Sequence, residues 1–160
     1  MITEKTEIRD KRSALDVAYS QDAVRVPSLK ALLVDDGSSI LTMLRWYLKN
    51  FGCDVTTALR GQSALFELTT EKFDILITDL LVPDLDGSFL LRAGKKLNPQ
   101  MKVIIITGNP ELLPLFLPDV SVVDGLLIKA FFTNGLESLL AKCLGLGVPK
   151  IAKQKIFSRH

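Results

Sequence analysis

The chain has 160 residues, is 48% hydrophobic and 24% charged, and carries a formal net charge of +2. Length and composition specify one globular domain with room for a short extension. Charge this close to balance sets up no field that would call for nucleic acid or a membrane as partner. Apolar runs such as Val103 to Ile106 are strand-sized and too short to cross a bilayer. The charged N-terminus has no signal-peptide core, so a cytoplasmic location is expected. Cys53 and Cys143 lie far apart with no C-x-x-C and read as free thiols. The only histidine is His160, the last residue. A Ser-His-Asp triad, a Cys-His pair and a histidine-rich metal site are thereby disfavoured, and chemistry falls to carboxylates, lysines, hydroxyls and backbone.

Residues 1–28 are mixed in charge, end at Pro27-Ser28, and read as a flexible or loosely helical arm. Residues 29–146 read as the folded domain and residues 147–160 as a basic, solvated tail. Lys30 to Val34 is a short strand that stops at Asp35-Asp36. Ser38 or Ser39 can cap the helix that follows, with Ile40, Leu44, Tyr47, Leu48 and Phe51 on one side and Gly52 as its stop. Cys53 to Ala58 is a polar-interrupted strand expected near a sheet edge. Gly61 to Thr70 is helical, Asp74 to Thr78 a strand, and Gly87 to Leu97 a helix ended by Asn98-Pro99. Met101 to Thr107 is a β-branched run expected to be covered on both faces. Pro110, Pro114 and Pro118 predict a short, kinked or partly unwound fourth helix. Gly125 to Phe131 is the last strand and Asn134 to Leu144 the last helix. Strand and helix alternate five times across short connections, which predicts a doubly wound, five-stranded parallel α/β sheet.

Ligands of such sheets bind beyond the C-terminal strand ends. Those ends carry Asp35 and Asp36, Asp79, Thr107 and Lys129. Crowded carboxylates repel one another, and a divalent cation held by oxygen ligands relieves that repulsion; Mg²⁺ suits such a set. With Lys129 opposite, Thr107 as donor and an exposed Asp79 oxygen as nucleophile, the set can receive a phosphoryl group. Taken singly, each residue has a plainer reading as turn chemistry or a solvated strand end. Asp84 and Asp86, in "PDLDG", are read as turn residues.

The motifs "LLVDD", "DLLVPDLDG", "IIITG" and "LLIKAF", in this order and at these intervals, resemble the receiver domain of two-component response regulators over about Leu29 to Gly145. The resemblance implies a flavodoxin-like (βα)5 fold with strand order 2-1-3-4-5. It implies Asp79 as phospho-acceptor, Mg²⁺ on Asp35, Asp36, Asp79 and the Leu81 backbone carbonyl, and Thr107 and Lys129 on the phosphoryl group. A histidine kinase or histidine phosphotransfer protein would be the donor, and the chain would be a phospho-accepting signalling domain rather than an enzyme with turnover. Three departures, counting the prolines of the fourth-helix region, fall on the output side. Leu126 stands where many relatives have an aromatic residue, and Ala130 where a proline commonly follows the lysine. Sixteen residues after Leu144 are too few for a DNA-binding domain, so a stand-alone receiver with a downstream protein target is expected, and homodimerisation stays open. The alternative is a receiver-fold interaction module that works without phosphorylation. A metal-dependent phosphatase is a distant third reading.

Overall fold

Apolar side chains recur along the strands with period two, and that alternation divides the core. In the computed structural model, which describes residues 28–129 and 135–145, the strands are β1 (Lys30–Val34), β2 (Asp54–Ala58), β3 (Ile75–Asp79), β4 (Lys102–Thr107) and β5 (Gly125–Ile128). They form one parallel sheet in the order β2-β1-β3-β4-β5. Leu32, Val34, Leu76, Val103 and Ile105 face one side, against Ala64 and Leu68 of α2 (Gly61–Thr70) and Leu90 and Leu91 of α3 (Gly87–Leu97). Ala31, Leu33, Ile75, Ile77, Ile104 and Ile106 face the other, against Leu41, Leu44 and Leu48 of α1 (Ser38–Asn50) and Leu136 and Leu140 of α5 (Gly135–Leu144). Each fully buried Leu or Ile contributes about 1.5–3 kcal/mol, which is why the central strands tolerate no polar interruption before their C-terminal ends.

The expected α/β architecture, strand order and edge position of β2 are all observed. Gly52 does stop α1, with φ of +79° and its N–H bonded to the Lys49 carbonyl. Three local expectations change. Neither Ser38 nor Ser39 caps α1; Gly37 occupies the cap position without a side-chain bond, and its N–H donates instead to Asp35 Oδ1 at 2.7 Å. β3 runs one residue later than predicted, because Asp79 pairs in register with Ile106 and the Leu80 N–H bonds the Ile106 carbonyl at 2.9 Å. Cys53 and Met101 lie just outside β2 and β4.

The proline-rich segment behaves as its composition dictates. Pro110–Leu112 is a 3-10 turn, α4 (Leu113–Phe116) is one turn long, and Val120–Val122 is a second 3-10 turn. Pro114 fits because it sits in the first turn of α4, where its missing N–H has no helical acceptor to lose. No helix among the described residues is long and apolar enough to cross a membrane. Residues 1–27 of the N-terminal arm, the Lys129–Ala130 peptide, Phe131 at the end of the expected strand, Asn134 and the basic tail lie outside the described residues.

Candidate functional site

Parallel strands deliver their C-terminal ends to one edge, and there the acids meet. Asp35 follows β1, Asp79 ends β3, and the two strands are hydrogen-bonded neighbours. Carboxylate oxygens of Asp35, Asp36 and Asp79 lie within 4.8 Å of one another. Asp35 is 2% and Asp79 6% exposed, whereas Asp36 is open to solvent. The expectation of an exposed Asp79 is corrected here. Its Oδ1 accepts the Leu81 N–H at 3.2 Å and its Oδ2 the Lys129 ammonium at 2.5 Å, so backbone and lysine together cover it.

Lys129 follows β5 and reaches over β4. Its Nζ also stands 2.9 Å from Asp35 Oδ2, an ion-pair distance, yet that buried oxygen has no aligned hydrogen-bond donor. Burial pushes the Asp79 carboxyl above its ordinary range, and the Asp35 charge adds to the push; Lys129 and the Leu81 N–H pull against it without prevailing. Burial pulls the Lys129 ammonium down, but the two carboxylates more than offset it and leave it raised. Three carboxylates facing one ammonium leave the cluster short of positive charge.

That shortage and three hard oxygen donors fit a small divalent cation, which needs only one or two firm carboxylates and fills its other positions with water. Asp35, Asp36 and Asp79 are the side chains able to hold it.

Thr107 is fully buried at the end of β4, one strand from Asp79. Its hydroxyl accepts the Asn109 N–H at 2.9 Å, and the structure shows no contact between that hydroxyl and the acids. Leu81 is partly exposed and forms an isolated antiparallel bridge with Asp86. Asp84 and Asp86 take the turn roles read for them. Asp86 caps α3 by accepting the Phe89 N–H at 2.9 Å and the Ser88 hydroxyl. Asp84 adopts φ of 76°.

Two contributors were not visible in the sequence. Arg60 forks onto Asp84, with Nε to Oδ2 at 2.8 Å and Nη2 to Oδ1 at 2.7 Å. Gly87 lies so close to the back of Asp79 that a Cβ there would sit 2.3 Å from the Asp79 carbonyl oxygen. The glycine of "PDLDG" hinted at a tight turn but not at this contact, and nothing near Arg60 in sequence points to Asp84.

Sheet order and edge chemistry define a flavodoxin-like α/β domain with an acid–lysine centre at its strand ends. Residues 31–115 match the response regulator receiver domain model, and the chain belongs to that family. The transcriptional regulatory protein PhoP of Bacillus subtilis is 35% identical over 82 residues, covering 51% of this chain and 34% of PhoP. The chain spans well under half the length of the first curated relatives it matches. The signal receiver domain of an HD domain-containing protein from Pseudomonas fluorescens superposes with a TM-score of 0.67 at 26% identity, over 74% of this chain and 95% of that one. A response regulator from Burkholderia pseudomallei, solved with a phosphorylated aspartic acid and a calcium ion, superposes with a TM-score of 0.59 at 26% identity, over 71% and 65%.

Proposed function

We propose that this chain accepts a phosphoryl group on Asp79 in a Mg²⁺-dependent transfer and signals the change through protein contacts. The observation that carries the reading is the Lys129 ammonium shared between Oδ2 of Asp79 and Oδ2 of Asp35, two buried carboxylates served by one cation. Such a centre holds positive charge where a phosphoryl group's oxygens would need it. Mg²⁺, held by Asp35, Asp36, Asp79 and the Leu81 carbonyl, would supply further charge neutralisation of those oxygens.

An Asp79 oxygen attacks phosphorus of a phosphohistidine donor. The P–N bond breaks, its electron pair leaves on the imidazole nitrogen, and an acyl phosphate remains on Asp79. Lys129 shifts from its carboxylate partners to the incoming oxygens, and the Thr107 hydroxyl turns from Asn109 towards the phosphoryl group. Water later attacks phosphorus, returning the carboxylate and inorganic phosphate. A histidine kinase or phosphotransfer protein serves as donor in trans, and a protein target reads the result. Residues 29–146 act as the receiver unit. The phosphorylated aspartic acid of the Burkholderia pseudomallei relative supports the chemistry by likeness.

A second reading, an interaction module that works unphosphorylated, is favoured by partly exposed Leu126 and one-turn α4 on the output side. Incubation with Mg²⁺ and acetyl phosphate, followed by intact mass, separates the two. A gain of one phosphoryl mass, absent from Asp79→Asn, is expected. No gain under any donor selects the second reading.

A further inference from the structure

The loop from Leu81 to Asp86 connects β3 to α3 and carries the Leu81 carbonyl. Its base is closed by the Leu81–Asp86 bridge and by the Leu81 N–H on Asp79 Oδ1. Its tip is held by a different element. The Gly61 N–H, at the start of α2, bonds the Pro83 carbonyl at 2.9 Å. Gly61 also admits the loop closely, since a Cβ there would meet the Leu85 backbone N at 2.8 Å and O at 2.9 Å. Arg60 completes the grip with its fork on Asp84.

Asp84 is the only non-glycine among the described residues with positive φ. Glycine would adopt that conformation freely, and asparagine at little cost. An aspartate there keeps a carboxylate that both lack, and the structure spends it on Arg60. A monodentate lysine could neutralise the charge, but only the planar guanidinium fixes orientation through two parallel bonds.

We propose that Arg60 is a positioning residue for the metal-holding edge of the site. It acts through Asp84 to fix the loop that presents the Leu81 carbonyl. The inference rests on the reading that this carbonyl and the three acids hold Mg²⁺.

Sign separates the role from a plain charge effect. Removing a cation near a cation site tightens metal binding through the field alone. Removing a latch loosens it. The test is titration of the full chain with MgCl2, followed by calorimetry, together with backbone amide exchange. Arg60→Ala should weaken Mg²⁺ binding by about three- to fivefold, the range open to a well-oriented exposed pair, with Arg60→Lys intermediate. Asp84→Asn should lose a similar factor, and the double variant no more than either single one. The Leu81 and Gly61 amides should exchange faster in Arg60→Ala without metal. Unchanged or tighter Mg²⁺ binding with unchanged exchange overturns the proposal, and so does a wild-type chain with no saturable Mg²⁺ binding. Wild-type binding of Mg²⁺ with the expected Arg60→Ala loss supports the latch even where Asp79 takes up no phosphoryl group, a result that counts against the proposed function alone.

Discussion

Gly87→Ala tests how closely α3 is built against the acceptor strand. The added methyl would lie 2.3 Å from the Asp79 carbonyl oxygen, 3.1 Å from Leu80 Cα and 3.2 Å from the Asp79 carbonyl carbon. All three are backbone atoms, so no side chain can rotate away. The first contact falls roughly 1 Å inside a normal one. Overpacking of this kind costs about 1–3 kcal/mol. The shift also strains the Gly87 N–H bond to the Leu80 carbonyl, 2.8 Å long and worth about 1 kcal/mol. A total near 3 kcal/mol lowers the melting temperature of a domain this size by roughly 10 °C.

Two internal controls bracket the result. Gly94→Ala clashes with the Met101 terminus alone, a side-chain end that can rotate, with Cε at 2.2 Å and Leu68 Cδ2 at an ordinary 3.8 Å, and should cost about 1 kcal/mol. Gly135→Ala meets nothing within 4 Å among the described residues and should gain about 0.5 kcal/mol from helix propensity. Thermal and urea unfolding followed by circular dichroism, with constant m-values, ranks the three. A Gly87→Ala chain that melts within about 2 °C of wild type, or no lower than Gly94→Ala, refutes the close approach.

Asp79→Asn should raise the melting temperature at pH 7. The folded-state pKa of Asp79 is raised, first by burial, so its stabilising contribution is present below the unfolded pKa and lost as pH rises through the folded one. The gap should therefore close as pH falls below about 4, and a constant gap would refute the burial argument. Lys129→Met leaves Asp35 and Asp79 without their cation and should cost about 2 kcal/mol at neutral pH, with recovery in acid; equal melting at pH 7 would speak against a stabilising pair. Mg²⁺ at ten times its Kd should stabilise the wild type by about 1.4 kcal/mol, and Asp35→Asn should abolish the effect in melting curves. Burial pushes the Cys53 thiol up to about 11, so iodoacetamide at pH 8 should modify it about a hundredfold more slowly in the folded than in the unfolded chain, read by mass spectrometry.

Apolar periodicity made the layers legible, because it records which face of each strand is covered. β1 and α2 come out with the bounds that the pattern predicts. Convergence of Asp35, Asp36, Asp79 and Lys129 was legible for a topological reason, since parallel strands must end on one edge. What stayed hidden depends on contacts remote in sequence. Asp35 looked like a residue before a capped helix, yet its Oδ1 takes the Gly37 N–H and displaces the serine cap. Asp79 looked exposed because a sequence cannot show that Lys129 folds over it. Arg60 and Asp84 are 24 positions apart and meet only because α2 packs beside α3.

Sheet order also explains how one lysine serves two acids. Lys129 leaves β5, and its partners lie beyond β4, on β3 and after β1. An intervening strand that ended in a large side chain would block the path. β4 ends in Thr107, whose hydroxyl is drawn back onto the Asn109 N–H, and the next residue is Gly108. A Cβ on Gly108 would lie 3.7 Å from Lys129 Cδ, so the lysine stem runs directly over a residue with no side chain. The Lys129 N–H is itself fixed to the Thr107 carbonyl at 2.9 Å, which sets where that stem begins. Small residues at the end of β4 are thus part of the site without touching its acids. They keep a corridor open through which a cation from the sheet's edge strand reaches its centre.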